Sequence, residues 1–206
     1  MAYRFEDLVF DVPSTVYEPA DDSEMLAIYS RRASGRVLDM GCGCGLQSIV
    51  CAKANPASKV IGVDINPDAA FASRQNAEGN NVKNCEFFIS DMFYALSGSK
   101  FDWIIFNPPY LPTSRSEKIK GSLNAAVDGG IDGRKVIDRF LGLALPHLEE
   151  GGRILMLDSS LDNTDKTIYL LVKMGAEVKI LQKLSVFFET LSVLEATFPS
   201  GGAKPQ

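Results

Sequence analysis

Four consecutive residues, Asn107-Pro108-Pro109-Tyr110, put a carboxamide, two rigid rings and a flat aromatic side by side at the end of an apolar run. Such a set suits a substrate that offers a planar –NH2, on a carboxamide or a nucleobase. The lone pair of that nitrogen is delocalised, so it is a poor nucleophile. The Asn107 side-chain oxygen and the Pro108 carbonyl can each accept one of its N–H groups. That holds the nitrogen in line with an electrophilic carbon and favours positive charge developing on it. The Tyr110 ring can stack on the flat group. No strong base is needed beforehand, in keeping with a chain whose one histidine is His147. Taken alone, the same residues also describe a proline-rich turn after a strand, since neither ring can donate to a ladder.

A second constellation is Asp39-x-Gly41-x-Gly43-x-Gly45, with Asp64 closing the next apolar run. Glycines in such a loop let the backbone turn sharply and let a ligand approach closer than a Cβ allows. A carboxylate at Asp64 can take both hydroxyls of a ribose. A dinucleotide would prefer Gly-x-Gly-x-x-Gly, its pyrophosphate on the helix N-terminus. Here the spacing is Gly-x-Gly-x-Gly, and Asp39 in front repels a pyrophosphate but suits a ligand with a cationic sulfonium and an ammonium. S-adenosylmethionine is thereby favoured over NAD. Asp91 can then accept the adenine exocyclic amine, with Met92 or Phe93 packing the ring; it can equally cap a helix starting at Met92.

These residues need elements to position them. Phe101–Phe106 reads as a buried strand delivering Asn107, and Arg36–Met40 as the strand delivering the glycine loop, with a helix after it until Asn55-Pro56. Strand 59–63 ends at Asp64, a helix runs over 67–78 with Pro67 in its first turn, and strand 85–89 ends at Ser90-Asp91. Ahead of these, residues 3–16 form an irregular or short-strand segment, and Asp22 or Ser23 caps a helix to about Arg32. Residues 111–130 form a long polar loop of the kind that tends to be functional. Apolar spacing from Val136 to Leu148 predicts a helix, with His147 at its end. A turn at Glu149–Gly152 leads into strand 153–157, a helix over 164–174 stops at Gly175, and strands 176–184 and 190–198 pair antiparallel around Phe187 and Phe188. The expectation is an α/β, Rossmann-like, doubly wound, seven-stranded and mostly parallel sheet with one antiparallel strand and helices on both faces. Residues 1–198 are expected as one domain, the first 35 lying over the active site, and 199–206 as a disordered tail.

With 206 residues, 46 % hydrophobic and 23 % charged, the composition is that of an ordinary soluble globular chain. No apolar run reaches the ~18 residues of a membrane helix, and the first residues lack a secretory signal. A net charge of −5 speaks against a broad nucleic-acid footprint. Cys42, Cys44, Cys51 and Cys85 match neither a disulfide framework nor the usual zinc knuckle, so a reduced cytoplasmic protein without a metal is expected.

On these linked motifs the chain resembles the class I S-adenosylmethionine-dependent methyltransferases that modify the glutamine side-chain nitrogen of translation release factors. The resemblance spans roughly residues 14–198 and is to the compact archaeal and eukaryotic branch, since only about 35 residues precede the first strand of the core. It implies Asp39–Gly45 as the cofactor loop, Asp64 as the ribose acid, Asp91 as the adenine-side acid and Asn107–Tyr110 as the grip on the target amide. Tyr17, Pro19 and Asp22 would line the methionine end of the cofactor and the substrate mouth, and Asp128-Gly129-Gly130-x-Asp132-Gly133-Arg134 is similar to a family signature. Some members of that branch work with a small zinc-binding activator along the third-strand edge, for which Cys85–Ile89 is apolar enough, although an ordinary core strand is the plainer reading. The expected substrate is the Gly-Gly-Gln loop of a peptide release factor. The alternatives are a nucleic-acid amine methyltransferase (adenine N6 or guanine N2), an NAD-dependent oxidoreductase and a cofactor-binding module without turnover.

Overall fold

A computed structural model describes residues 1–113, 126 and 128–200. The chain begins with a hairpin, β1 (Ala2–Phe5) and β2 (Leu8–Asp11), followed by α1 (Asp21–Ser30). Then come β3 (Arg36–Met40), α2 (Leu46–Ala54), β4 (Lys59–Asp64), α3 (Pro67–Gly79), β5 (Cys85–Ile89) and β6 (Phe101–Phe106). The second half holds α4 (Lys135–Ala144), β7 (Leu148–Ser159), α5 (Thr164–Lys173), β8 (Glu177–Val186) and β9 (Glu189–Thr197). The main sheet has seven strands in the order β5-β4-β3-β6-β7-β9-β8. All run parallel except β9, which is antiparallel to both neighbours, so the expected architecture stands.

Alternation along the central strands divides the core. Val37, Trp103, Ile105, Leu155 and Val193 face the layer of α1, α2 and α3. Leu38, Ile104, Phe106, Ile154 and Leu194 face α4 and α5. β6 is apolar on both sides because helices cover both, and each Ile or Phe withdrawn from water there contributes about 1.5–3 kcal/mol. Strand order reverses between β3 and β6. The carboxyl ends of those two strands, where the glycine loop and Asn107 begin, are the place where an open α/β sheet binds ligands.

Several boundaries differ from the sequence reading. α1 starts at Asp21, and its cap residue Ala20 has no side-chain acceptor; Asp22 and Ser23 lie inside the first turn and accept from the Asn107 amide. β7 begins at Leu148 rather than Arg153: Leu148 already pairs with Phe101, and a bulge between Phe101 and Trp103 absorbs the Glu-Glu-Gly-Gly segment into the strand. No helix starts at Met92. The Ser90 hydroxyl, not Asp91, accepts from a backbone N–H there, that of Ala95, and a single 3-10 turn follows over Tyr94–Leu96. β5 is an edge strand rather than a core one, since only Phe87 is buried while Phe88 and Ile89 are exposed. Most of the 111–130 loop and residues 201–206 of the expected tail lie outside the described residues.

Candidate active site

The carboxyl ends of β3, β4, β5 and β6 open into a cavity of about 530 Å³. Its floor is the glycine loop. Gly41 and Cys42 donate their N–H groups to the Val63 carbonyl at 2.8 and 3.0 Å, tying the loop to β4. Gly43 adopts φ +56°, and a Cβ built on it would meet nothing within 4 Å, so its outer face is open to a ligand. Gly45 serves packing instead: at φ +89°, a Cβ there would lie 3.2 Å from the Ser73 backbone of α3. Asn76 of α3 braces the loop, donating to the Cys44 carbonyl at 2.9 Å while exchanging hydrogen bonds with the Asp11 backbone of β2.

The two acids of this floor differ. Asp64 lines the cavity; its oxygens accept from the Gly43 and Asn66 N–H groups at 3.0 and 2.9 Å, and each keeps a further lone pair. Burial raises its pKa. Asp39 does not reach the lining. It is 1 % exposed, and one oxygen accepts both the N–H and the hydroxyl of Ser48, clamping β3 to α2. Its other oxygen is buried without a partner, and desolvation lifts its pKa to about 7.

Asn107 lies at the mouth of β6, and 85 residues upstream Asp22 decides which way it faces. The Asn107 amide nitrogen donates to Asp22 Oδ2 at 3.2 Å and Ser23 Oγ at 3.1 Å. A carboxylate only accepts, so the amide must turn its nitrogen to Asp22 and its oxygen away. That oxygen is buried and has no partner. An unmet acceptor costs about 1–3 kcal/mol, and it is the atom that the chemistry of the motif requires. Tyr110 and Tyr17 flank it, with the Tyr17 hydroxyl 3.4 Å from Asp22 Oδ1. Burial first, and then the negative field of Asp22 and Glu189, raises both phenols well above their ordinary range, which rules them out as bases. Pro19 and Pro108 complete this wall.

The signature beyond the loop has a mechanical explanation. Leu111 and Thr113 pair with the segment at Asp128–Gly130, and a Cβ at Gly133 would strike the Tyr110 carbonyl. Glycine there lets the chain lie against the backbone of Tyr110. Arg134, 3 % exposed, anchors that segment to the carbonyl of Asp162 and to Asp138.

Asp91 lines the cavity, but both of its oxygens are held by Arg139 of α4, at 2.7 and 2.8 Å, and that pairing lowers its pKa. Met92 lines the cavity with φ +50°, a costly conformation for a non-glycine residue. Phe93 does not; it is in the core, stacked between Phe140 and His147. Sequence reasoning missed Arg139, Ser23 and Gln47. Gln47 bridges the Ser30 hydroxyl and the Ser23 carbonyl, fixing α1 against the loop helix. Lys135 and Arg139, one turn apart on the cavity side of α4, were the available signal for the first. Among the described residues no group of side chains is arranged to hold a metal ion.

An open glycine floor, a carboxylate with spare acceptors and an orphan carboxamide oxygen fit an adenosine carrying a cationic amino-acid arm, and the comparisons with known proteins agree. The family described as "Methyltransferase small domain" matches residues 22–187. A Methanocaldococcus jannaschii chain assigned by name to the protein N5-glutamine methyltransferases is 46 % identical over 95 % of this chain and 98 % of its own. The Geobacter sulfurreducens release factor glutamine methyltransferase is 32 % identical over 74 % of this chain, which spans 56 % of it. Among solved structures, the E. cuniculi Mtq2–Trm112 complex, described as responsible for methylation of the eRF1 translation termination factor, aligns with a TM-score of 0.70 at 23 % identity, covering 89 % of this chain and 98 % of that one. The chain belongs to the methyltransferase small domain family and, within it, to the protein N5-glutamine methyltransferases. It is an enzyme whose cofactor is S-adenosylmethionine.

Proposed function

We propose that residues 1–198 act as a single methyltransferase domain that modifies the side-chain nitrogen of the glutamine in the Gly-Gly-Gln loop of a peptide release factor. The observation that carries this is the buried, unpartnered Asn107 oxygen, aimed by Asp22 and Ser23. When bound, S-adenosylmethionine supplies a methyl group on a cationic sulfur and leaves as S-adenosylhomocysteine. Asp64 would hold the ribose and the backbone at Gly43 would lie against the ligand. Asp91 already neutralises Arg139, so Arg139 would have to share it with an adenine amine. Asp39, just beneath the loop, would favour a cationic arm when ionised.

Asn107 Oδ1 and the Pro108 carbonyl accept the two N–H groups of the target carboxamide. This orients the nitrogen lone pair toward the methyl carbon, and the two carbonyl dipoles stabilise positive charge on nitrogen as the new N–C bond forms. Tyr110 stacks on the amide plane and, with Tyr17 and Pro19, keeps water out. The cationic N-methyl amide so formed is a strong acid and gives up one N–H proton to water as the product leaves the cleft, so no base of high strength is required.

The partner reading extends this. Exposed Phe88 and Ile89 on the β5 edge, with Phe71 of α3 also exposed, offer a strip that a small zinc-binding activator could cover by adding a strand. A translation-factor substrate and four free cysteines support a cytoplasmic location. No described helix is long and apolar enough to cross a membrane. The test is transfer of labelled methyl to an archaeal-type release factor. Wild type is expected to label its Gly-Gly-Gln peptide; Asn107→Ala is expected to lose most turnover while binding S-adenosylhomocysteine within a few-fold of wild type. Label appearing only in RNA or DNA would overturn the substrate assignment, and a parallel collapse of cofactor binding would make Asn107 a structural residue.

A further inference from the structure

The β8–β9 hairpin ends in two phenylalanines that contribute nothing to the core: Phe187 and Phe188 are 103 % and 94 % exposed. A two-residue hairpin turn is ordinarily made from Asn, Asp or Gly. Neither phenylalanine takes a positive φ, and their rings lie 6.5 Å apart in open solvent. Scattered exposed apolar residues are normal, but an adjacent pair of aromatic rings in water at a loop tip marks an interaction site.

Topology fixes where that tip lies. β8 is parallel to the body of the sheet because the reversed β9 stands between it and β7, so the end of β8 is on the same side as the cavity. The base of the tip is tied to the end of β7, the strand beside β6. Glu189 accepts from the Ser159 hydroxyl at the end of β7, and the Thr190 N–H donates to Ser160 Oγ at 2.9 Å. Val186 and Tyr110 both pack against the core layer on the α1–α3 face of the sheet, and the Glu189 charge reaches both Tyr110 and Tyr17. The tip therefore stands on the side of the sheet where Tyr17 and Tyr110 line the cavity. Charge tells which partner it suits: Asp21, Asp22 and Glu189 surround Tyr17, a field that repels a phosphate backbone and accommodates a protein face.

We infer that Phe187 and Phe188 form a docking element for the protein substrate, seating an apolar patch of the release factor so that its glutamine loop enters the adjoining cleft. This rests on the substrate reading above and deepens it. An enzyme that recognised only the Gly-Gly-Gln loop would have no use for the tip; one that recognises the folded protein does.

The experiment compares full-length release factor with a short synthetic Gly-Gly-Gln peptide as substrates for wild type, F187S/F188S and F187L/F188L. The serine pair is expected to raise KM for the full-length protein roughly tenfold or more, with kcat, S-adenosylhomocysteine affinity, melting temperature and peptide turnover unchanged. The leucine pair, which keeps the apolar surface, is expected to recover most of the loss. An unchanged KM for the full-length protein would overturn the proposal, as would an equal loss on the peptide, which would mean a distorted cleft. A wild-type dimer that the serine pair dissociates at unchanged KM would assign the tip to self-association and overturn it likewise. Wild type that fails on both substrates would bring down the substrate reading itself, a result visible before any variant is made.

Discussion

Replacing Asp22 by asparagine tests the logic of the site at the point where it is most exposed to failure. In the wild type the Asn107 amide nitrogen faces a carboxylate oxygen at 3.2 Å, and the opposite orientation would set two acceptors against each other. The carboxamide introduced by Asp22→Asn can present its own –NH2, which welcomes the Asn107 oxygen and turns the Asn107 nitrogen into the cleft. A hydrogen bond to a charged group contributes about 1.5–3 kcal/mol. With that bias gone and the reversed pairing favoured by the ~0.5–1.5 kcal/mol of a neutral hydrogen bond, only a fraction of the amides faces the right way and kcat falls roughly 3- to 15-fold. Ser23 Oγ, 3.1 Å from the same nitrogen, holds part of the bias in Asp22→Ala, so that variant should lose less than Asp22→Asn despite being the larger deletion. The assay is single-turnover methyl transfer at saturating cofactor, with S-adenosylhomocysteine affinity measured alongside by calorimetry. The reasoning is refuted if Asp22→Asn leaves kcat unchanged, or if its loss appears wholly as weakened cofactor binding. The second outcome would return Asp22 to the cofactor-lining role that family resemblance implies.

Three other expectations follow from the geometry. Asp64→Ala strips the acceptor that lines the cavity and should weaken S-adenosylhomocysteine binding by roughly 1–3 kcal/mol, read by calorimetry; unchanged affinity would remove it from the ribose site. Asp39, its pKa lifted from 3.8 to about 7, binds a proton more readily folded than unfolded, so its contribution to stability is complete below about pH 4 and is lost as pH rises through 7. A shift of that size corresponds to roughly 4 kcal/mol. Melting temperature without cofactor should therefore fall from pH 5 to pH 8, and Asp39→Asn should flatten the slope; an equal slope in the variant would show that other groups set it. Gly133→Ala would push against the Tyr110 carbonyl at φ +73° and should lower kcat/KM several-fold, with cofactor affinity retained. Equal losses in both would mean that the segment supports the whole cleft rather than Tyr110.

Strand positions were legible because β-branched and aromatic runs end in chemistry-bearing residues: Asp39 next to last in β3, Asp64 at the end of β4, Asn107 just after β6. The single reversed strand could be read from a connection too short for a crossover helix. The partners of those residues were not legible. Nothing local in Asp22-Ser23 announces an acceptor for an amide 85 residues away, and the same residues read more naturally as a helix cap. Asp39 looked like a ligand contact because its charge was visible in the sequence and its 1 % exposure was not. A helix cap stayed open for Asp91 beside the adenine-acceptor reading because the left-handed turn at Met92 carries no glycine to mark it. The early start of β7 failed for a different reason: Gly151 and Gly152 signal a turn, yet neighbouring β6 overrides local propensity by pairing through a bulge.

Asn76 couples two parts of the molecule that are far apart in the chain. One carboxamide holds the Asp11 backbone of the first hairpin and the Cys44 carbonyl of the glycine floor, so neither can shift without disturbing the other. Ligand that stiffens the floor should therefore slow amide hydrogen exchange in residues 8–11, which it never touches. Conversely, a bulky fusion that lifts the leading strands off α3 would speed the release of bound product. The first hairpin is thus a clasp on the glycine floor, and loosening it should shorten the residence time of the cofactor although no residue of that hairpin lines the cavity.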